Sequence, residues 1–436
     1  MDVTPRELRW MLFRLLPLLA LLLAVAIVTA PARSTADEGP LIAAAHRLLH
    51  GHYADTTSMD GTKFLWHGPG LPALIAPLVA LGVPLQGLRL TSPLLLFAAV
   101  VLFYRMLRPR LSPRGALLGA YALGLYFPGY YVLGTVAKDP LALLLSIVTL
   151  DASARYMKWG RRRHAAIAGL ALAALAMTRL EYGWVIALAL GGGVAWWLTA
   201  RLRHAPAGAQ TAGRWTLICA VAMVGCLPWL AYTYSLTGHP FYWGNSGGLS
   251  LYWMSSPSLS QLGQWHSPHM VLSDPRLTGY RPFFHYLATL RPVPRDLKLE
   301  HVAVAQVLAH PGKFGLNVLA NLGRMFAGFP FSFVLPTTAI VGLIAINGTL
   351  FAGLLAAARR LGRAGVRLPR ESGPFFLFAA LGLLVHVLPT AEPRLAIPLI
   401  PVPVWLIAHA WGARVGSEAP RPARYRTAQP RTWGLV

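Results

Sequence analysis

Ten long apolar runs divide this chain, and they constrain its fold more than any other feature of the sequence. Each run approaches the roughly 20 residues that a helix needs to cross the hydrocarbon layer of a membrane. Apolar residues make up 55% of the 436 residues and charged residues only 12%, which excludes a soluble domain of this length. We therefore expect an all-α polytopic membrane protein with about ten (roughly eight to twelve) transmembrane helices, at residues 11–30, 90–107, 115–135, 140–157, 164–180, 182–200, 215–234, 335–358, 374–390 and 395–412.

The basic residues are unevenly distributed along the chain. The formal net charge is +24, a value that in a soluble protein would suggest a nucleic-acid partner. If the N-terminus is cytoplasmic and the apolar runs alternate in direction, 25 of the 39 Lys and Arg residues fall in short inner stretches, whereas ten of the 15 acidic residues fall outside. This is the positive-inside pattern. It predicts a multi-pass protein of the plasma (inner) membrane with both termini cytoplasmic, and it argues against nucleic acid as a partner.

The same alternation leaves two long segments outside, residues 31–89 and 235–334. We expect residues 1–412 to form one transmembrane domain with amphipathic helices on its outer face. The basic, proline-rich tail 413–436 is predicted to be a disordered cytoplasmic segment. The first apolar run follows three arginines and ends in small residues, as a signal peptide does. We interpret it as a retained span because it is long enough to cross the membrane and the alternation needs it.

The first outer segment begins with the adjacent acids Asp37 and Glu38. The apolar residues that follow Pro40 recur on one helical face, which predicts a short amphipathic helix lying in the membrane interface. Thr35 and Glu38 have the spacing of a capping box, but that start would make Pro40 the fifth helical residue, where proline clashes with the preceding turn. Pro40 fits the first helical position better. Asp37 and Glu38 then precede the helix, and either face a site or are solvated interface charges.

Other ionisable residues lie near the outer ends of predicted spans. Asp139 precedes Pro140, so it is either a helix cap or part of a site. Arg179 and Glu181 occupy a turn at membrane depth, where charges are costly unless they are paired or face a wet cavity. Glu392 and Arg394 lie between the last two spans. A planar guanidinium there suits a lipid-linked phosphate, although simple pairing between these two neighbours is the alternative.

Two other functional classes remain open at this point. The string GNSGG around Ser246 matches the nucleophile elbow of serine hydrolases, but nothing around it predicts the strands of an α/β fold. A glycine-permitted turn is the alternative, and an outer-face acyltransferase or hydrolase would need a base from among His266, His269 and His285. A transporter or lipid flippase would show inverted repeats with broken helices at the midplane. The sequence contains no evident internal repeat.

The order of these motifs resembles the GT-C membrane glycosyltransferases. Within them it is most similar to glycosyltransferase family 39, which contains protein O-mannosyltransferases and lipid A aminoarabinose transferases. The similar strings cover residues 8–412 and are the first-loop acids with HGPGLP, then AKDPLALLL, TRLE, LPWLAYTYSLTGHPF with GNSGGLSLYW, LAHPGKF and EPRLAIPLIP. Two departures stand out, because Leu395 replaces the aromatic residue of the family's Arg-Tyr motif and Gly68-Pro69 replaces its Pro-Pro.

The resemblance implies transfer of a sugar from a polyprenyl-phosphate donor to a lipid, glycan or protein acceptor on the outer face. It carries the family's two acids over to Asp37 and Asp139. We expect Asp37 to be the base of a single inverting displacement, with Glu38 and Asp139 orienting the acceptor or holding a divalent cation, and no other cofactor. The expected contacts to the donor phosphate are Arg394, Lys63, Arg179 and His67, and those to the acceptor or sugar are Glu181, Asn245, Tyr252 and Glu392.

Overall fold

The computed structural model describes residues 4–34, 37–54, 65–330, 335–365 and 368–412. These residues fold into α-helices and short 3₁₀ helices, with no β-strand among them, which confirms the predicted all-α class. The α-helices are α1 Pro5–Thr29, α2 Glu38–Leu49, α3 Gly70–Ala80, α4 Leu85–Arg89, α5 Thr91–Leu107, α6 Pro113–Gly124, α7 Lys138–Trp159, α8 Arg162–Thr178, α9 Tyr182–Leu202, α10 Pro206–Thr237, α11 Gly247–Met254, α12 Pro268–Ser273, α13 Arg281–Ala288, α14 Pro292–Ala309, α15 Pro311–Ala327, α16 Thr337–Arg363, α17 Gly373–Val387 and α18 Pro401–Gly412.

Within the described ranges, six helical segments are long and apolar enough to cross a membrane: α1, α4 with α5, α7, α9, α10 and α16. The 3₁₀ helix Pro393–Leu399 and α18 form a seventh if they are counted as one span bent by 49°. The protein is therefore a multi-pass membrane protein. Three of the ten apolar runs form the shorter helices α6, α8 and α17, of 12, 17 and 15 residues, so the number of ten spans stays a prediction.

The helices α7, α8, α9 and α10 pack side by side and form the centre of the bundle. Small residues allow α8 and α10 to approach closely, as is common in membrane helices. A Cβ atom added at Gly169 would lie 2.6 Å from Val221, and one added at Gly225 would lie 2.8 Å from Ala173. On the other side of α7 lies α5, and α1 packs against α5 through a buried stripe of one face.

The helix α2 begins at Glu38, directly after Asp37. Pro40 is therefore the third helical residue, and the prediction that it would be the first was wrong. Proline is tolerated in the first turn because the N–H groups there have no partner within the helix. The predicted amphipathic helix is present, but Leu41 and Ala45 are buried against α3 rather than in the interface. The helix pair α2–α3 thus forms a cover at one end of the bundle.

The second segment that is predicted to lie outside, called the outer segment below, contains helices α11 to α15 in its described part, residues 235–330. Its last two helices, α14 and α15, are separated at His310 before Pro311. The core of this segment is aromatic, with Tyr252, Trp253 and Phe284 in ring contact. Tyr252 and Trp253 are buried, so neither forms an exposed aromatic belt.

A buried acid joins α11 to α14. Asp296 accepts hydrogen bonds from the hydroxyl of Tyr242 at 3.0 Å and from the N–H of Gly248 at 2.8 Å. Burial raises the pKa of Asp296 to about 6, because the hydrogen bonds from Gly248 and Tyr242 only partly offset the loss of hydration. This contact holds the start of α11 against the outer helix pair.

The outer segment also packs against the beginning of α9, where Gly183 contacts Trp243. A Cβ atom added at Gly183 would lie 2.3 Å from the indole Cδ2 and Cε2 atoms. We expect Gly183→Ala to lower the free energy of unfolding by about 1–3 kcal/mol, because the buried ring must shift. Gly191→Ala on the same helix is the control, since no neighbouring atom lies within 4 Å of its added Cβ. Thermal unfolding in detergent measures both, and equal stability of the two variants would contradict this packing.

Candidate functional site

A chain of ion pairs lies where the starts of α2 and α7, the α8–α9 turn and the 3₁₀ helix Pro393–Leu399 meet. Arg394 Nη1 donates a hydrogen bond to Asp37 Oδ2 at 3.2 Å, although the two residues are 357 positions apart. Arg394 Nε donates to Glu392 Oε2 at 2.7 Å. Arg394 therefore bridges two carboxylates, and the local pair with Glu392 coexists with the long-range pair that the site requires.

The Asp37–Arg394 pair is the open part of this group. The side chains of Arg394 and Asp37 are 37% and 42% exposed, whereas those of Arg179 and Asp139 beside them are 5% and 2% exposed. Burial raises the pKa of Asp37, but the positive charges of Arg394, His67 and Lys138 outweigh burial and hold that pKa below its usual range. Asp37 is therefore a carboxylate at neutral pH and is accessible to a second molecule.

A second, buried set of ion pairs lies beside the first. Arg179 Nη2 hydrogen-bonds Asp139 Oδ1, and Arg179 Nη1 donates to Glu181 Oε1 at 3.1 Å. The side chains of Arg179 and Asp139 are 5% and 2% exposed. His386 Nε2 of α17 lies 3.4 Å from Glu181 Oε1, which is within ion-pair distance. The local pair of Arg179 with Glu181 is thus present, and Arg179 also binds the first turn of α7.

Asp139 is not the cap of its helix, although an Asp before Pro suggested one. The residue that precedes α7 is Ala137, and Asp139 lies in the first helical turn. Its carboxylate faces Arg179 instead. The ion pair between Arg179 and Asp139 therefore joins the α8–α9 turn to the beginning of α7.

Lys138 belongs to the site but was missed in the sequence. Its Nζ lies 3.1 Å from His67 Nδ1, and its charge interacts with those of Asp37 and Arg394. The signal was available, because Lys138 is a basic residue at an end of a predicted span that is expected to lie outside, where the positive-inside pattern leaves few basic residues.

The first-loop string HGPG positions His67. A Cβ atom added at Gly68 would lie 2.0 Å from the carbonyl oxygen of Met177, so only glycine allows the loop to cross the end of α8 this closely. The N–H of Leu65 donates to Asn245 Oδ1 at 3.0 Å. Asn245, expected to contact the sugar or acceptor, is 6% exposed and holds the first loop against the outer segment.

Other predicted site residues are not part of this group. Glu38 is fully buried and accepts two hydrogen bonds from Arg89, from Nε and Nη2, each 2.9 Å long. The N–H of Val136 donates to the same carboxylate at 3.0 Å. The Glu38 carboxylate thus ties α2 to α4 and to the segment before α7. Tyr252 lies in the aromatic core of the outer segment, and Lys63 lies outside the described residues.

The region around Ser246 does not have the geometry of a nucleophile elbow. Ser246 precedes α11, and the described part of the chain supplies no strand before it. His266 Nε2 lies 3.2 Å from Gln261 Oε1, and its ring packs on Trp253 with centroids 4.7 Å apart. No described hydrogen bond joins Ser246 to a histidine, so the hydrolase interpretation has no structural support.

The donor set of the site does not fit the divalent cation that the sequence allowed. Asp37 faces the guanidinium of Arg394, and Asp139 faces that of Arg179. Among the residues that the structure describes, no group of three or more His, Cys, Asp or Glu side chains is placed to hold a metal ion. Fixed guanidinium groups thus stand where a cation would neutralise these acids.

No protein-family model matches the chain, and no curated protein matches it. Similar solved structures include the archaeal oligosaccharyltransferase AglB from Archaeoglobus fulgidus in complex with an inhibitory peptide and a dolichol-phosphate, at 15% identity and a TM-score of 0.49, covering 91% of this chain and 50% of that one. Another is the Archaeoglobus fulgidus oligosaccharyltransferase tethered with an acceptor peptide containing the NVT sequon, at 14% identity and a TM-score of 0.46, covering 91% and 49%. The chain thus spans about half the length of these structures.

The buried pair of Arg89 with Glu38 predicts a stability effect that is separate from chemistry. We expect Arg89→Ala to lower the free energy of unfolding by about 3 kcal/mol, because it leaves Glu38 as an unpaired buried charge. Arg276→Ala is the matched control, since Arg276 also pairs with an acid but its side chain is 88% exposed. Thermal unfolding in detergent compares the two variants. Similar small effects from both would show that Glu38 is not held by this pair.

Proposed function

We propose that this protein is a membrane glycosyltransferase that transfers a sugar from a polyprenyl-phosphate donor to an acceptor, with Asp37 as the base. The observation that carries the proposal is the accessible Asp37–Arg394 pair at the edge of a buried group of charges. Transfer from a sugar phosphate needs a proton acceptor beside cations that neutralise the departing phosphate. Asp37 can supply the first, and Arg394 with Lys138 can supply the second.

In the proposed step, a hydroxyl oxygen of the acceptor attacks C1 of the sugar on the face opposite the phosphate. The new C–O bond forms as the C1–O bond to phosphate breaks, and the bonding electron pair leaves on the polyprenyl phosphate. The hydroxyl proton goes to Asp37, and the configuration at C1 inverts. A phosphate on C1 is already a good leaving group, so a carboxylate with a low pKa is a sufficient base.

The cations divide into two roles. Arg394 is partly exposed and presents a planar guanidinium beside Asp37, which suits a phosphate with two oxygen acceptors. Lys138 lies next to His67 and adds a second positive charge. Arg179, in contrast, is buried and engaged by Asp139 and Glu181, so we propose that it positions the α8–α9 turn rather than the phosphate.

We propose the contacts to the acceptor from the partly exposed side chains around the Asp37–Arg394 pair. The side chains of Glu181 and Glu392 are 31% and 25% exposed, so both can accept hydrogen bonds from sugar or acceptor hydroxyls.

The side of the membrane on which the site lies is proposed from the distribution of basic residues. Basic residues such as Arg201 and Arg203 lie at the opposite end of α9 from Glu181, and the positive-inside rule assigns that opposite end to the cytoplasm. We therefore place the reaction on the outer face.

The test of the base is Asp37→Asn, which removes the proton acceptor and keeps the shape of the side chain. We expect transfer to fall by at least about 100-fold, the usual range for loss of a general base, while donor binding is retained. Asp274→Asn is the control, because Asp274 is an acid of the outer segment that pairs with the exposed Arg276. The assay is transfer of radiolabelled sugar from a panel of polyprenyl-phosphate sugars in proteoliposomes. Turnover by Asp37→Asn at the wild-type rate would remove Asp37 from this role.

The pH dependence of transfer tests the electrostatics of the same pair. Because the pKa of Asp37 is held below its ordinary value, the base stays ionised at a lower pH than a free carboxyl group, and its protonation sets the acid limb of kcat/KM. In Arg394→Gln, burial of Asp37 is no longer opposed by its nearest cation, so the pKa of Asp37 rises. The acid limb of the activity profile therefore moves to higher pH. Profiles from pH 4 to 8 measure this shift. An unchanged acid limb in Arg394→Gln would contradict the proposed coupling.

A further inference from the structure

A groove opens between α9 and α10 at the end of α9 that lies away from the ion pairs. Its volume is about 560 Å³. Twenty helical residues separate Glu181 from Arg201, so the groove lies about 30 Å from the site. The lining residues are Trp197, Ala200, Arg201, His204, Ala205, Pro206, Ala209, Gln210 and Gly213. Small residues make the space, and the polar residues around it determine what the groove can bind.

The polar lining residues Trp197, Arg201 and Gln210 can each donate hydrogen bonds. The guanidinium of Arg201 lies over the ring of Trp197, 5.1 Å from its centroid, and the lining contains no acidic residue. Arg201 and Gln210 are exposed, so their donors are open to a bound group. His204 adds a further ring nitrogen. A site of this composition favours an anion with several oxygen acceptors.

The beginning of α10 adds to this preference. The helix starts at Pro206 in the groove lining, and no side chain caps its first N–H groups at Ala205. Uncapped N–H groups at a helix start carry partial positive charge and bind anions. This contribution is independent of the Arg201 side chain.

The surroundings of the groove indicate that the anion carries acyl chains. Leu198 and Leu202 of α9 and Leu217 of α10, which are close in sequence to lining residues, are 49%, 81% and 39% exposed, so exposed apolar surface of α9 and α10 extends to this level. Tryptophan at the edge of such a belt is typical of the level of lipid headgroups. We propose that this groove binds the phosphate headgroup of an anionic membrane phospholipid, with the acyl chains against the exposed leucines.

Other arginines at this end do not have the same setting. Arg214 is engaged, because its Nη1 donates to the carbonyl of Met157 at 2.5 Å. Arg203 is exposed at the end of α9 but does not line the groove. Arg203 therefore carries the same charge two residues from Arg201 and provides a matched control for binding by diffuse surface charge.

The test uses the purified full-length protein in nonionic detergent, titrated with phosphatidylglycerol or phosphatidylcholine and followed by native mass spectrometry. We expect phosphatidylglycerol to bind at least about fivefold more tightly than phosphatidylcholine. We expect Arg201→Gln to weaken phosphatidylglycerol binding by at least about fivefold, the effect of one basic residue at an anionic surface. Arg203→Gln should leave binding unchanged.

A second variant changes shape without changing charge. A Cβ atom added at Gly213 would lie 3.5 Å from Trp197 Cδ1, an ordinary contact, so Gly213→Leu fills the groove without a clash at its first atom. We expect this variant to lose phosphatidylglycerol binding as well. Equal losses from Arg201→Gln and Arg203→Gln, or full binding by Gly213→Leu, would overturn the groove as the site. Displacement of the lipid by millimolar inorganic phosphate would assign the groove to a free anion and overturn the lipid occupant.

Discussion

The ion pairs of Arg179 and Arg394 join the helices that meet at the candidate site. A desolvated ion is costly unless an opposite charge and hydrogen bonds compensate it. Arg179 and Arg394 each bridge two carboxylates, and the carboxylates come from distant parts of the chain. Pairing of these charges joins α2, α7, the α8–α9 turn and the 3₁₀ helix Pro393–Leu399.

Neighbouring carboxylates acquire different roles from their surroundings. Asp37 and Glu38 are adjacent in sequence, yet the side chain of Asp37 is 42% exposed and that of Glu38 is fully buried. The bidentate contact with Arg89 occupies both oxygens of Glu38, which makes it a fixed part of the scaffold. Asp37 shares Arg394 with Glu392 and keeps access to solvent. Only the environment of Asp37 leaves a carboxylate available to accept a proton from another molecule.

The features that depend on the membrane environment could be predicted from the sequence, whereas the partners of individual side chains in the folded protein could not. Apolar runs and the distribution of Arg and Lys follow from the bilayer, so the all-α class and most long helices were predictable. Asp37 and Arg394 were candidates because Asp37 precedes a predicted interfacial helix and Arg394 lies between the last two predicted spans. The contacts of Glu38 with Arg89 and of Lys138 with His67 were not predictable, because they join residues 51 and 71 positions apart. The short helices α6, α8 and α17 also show that apolar composition alone does not set helix length.

The buried acid Asp296 makes the stability of the outer segment depend on pH. Asp296 has a pKa near 6 in the folded protein, above the ordinary value of 3.8, so the folded form retains a proton that the unfolded form releases. Its contribution to stability is therefore full below the ordinary value and is lost as the pH rises through about 6. Mild acidification would consequently stabilise the folded form at this site, because it removes the cost of burying the Asp296 charge, in contrast to the destabilisation that acid usually causes in carboxylate-paired proteins.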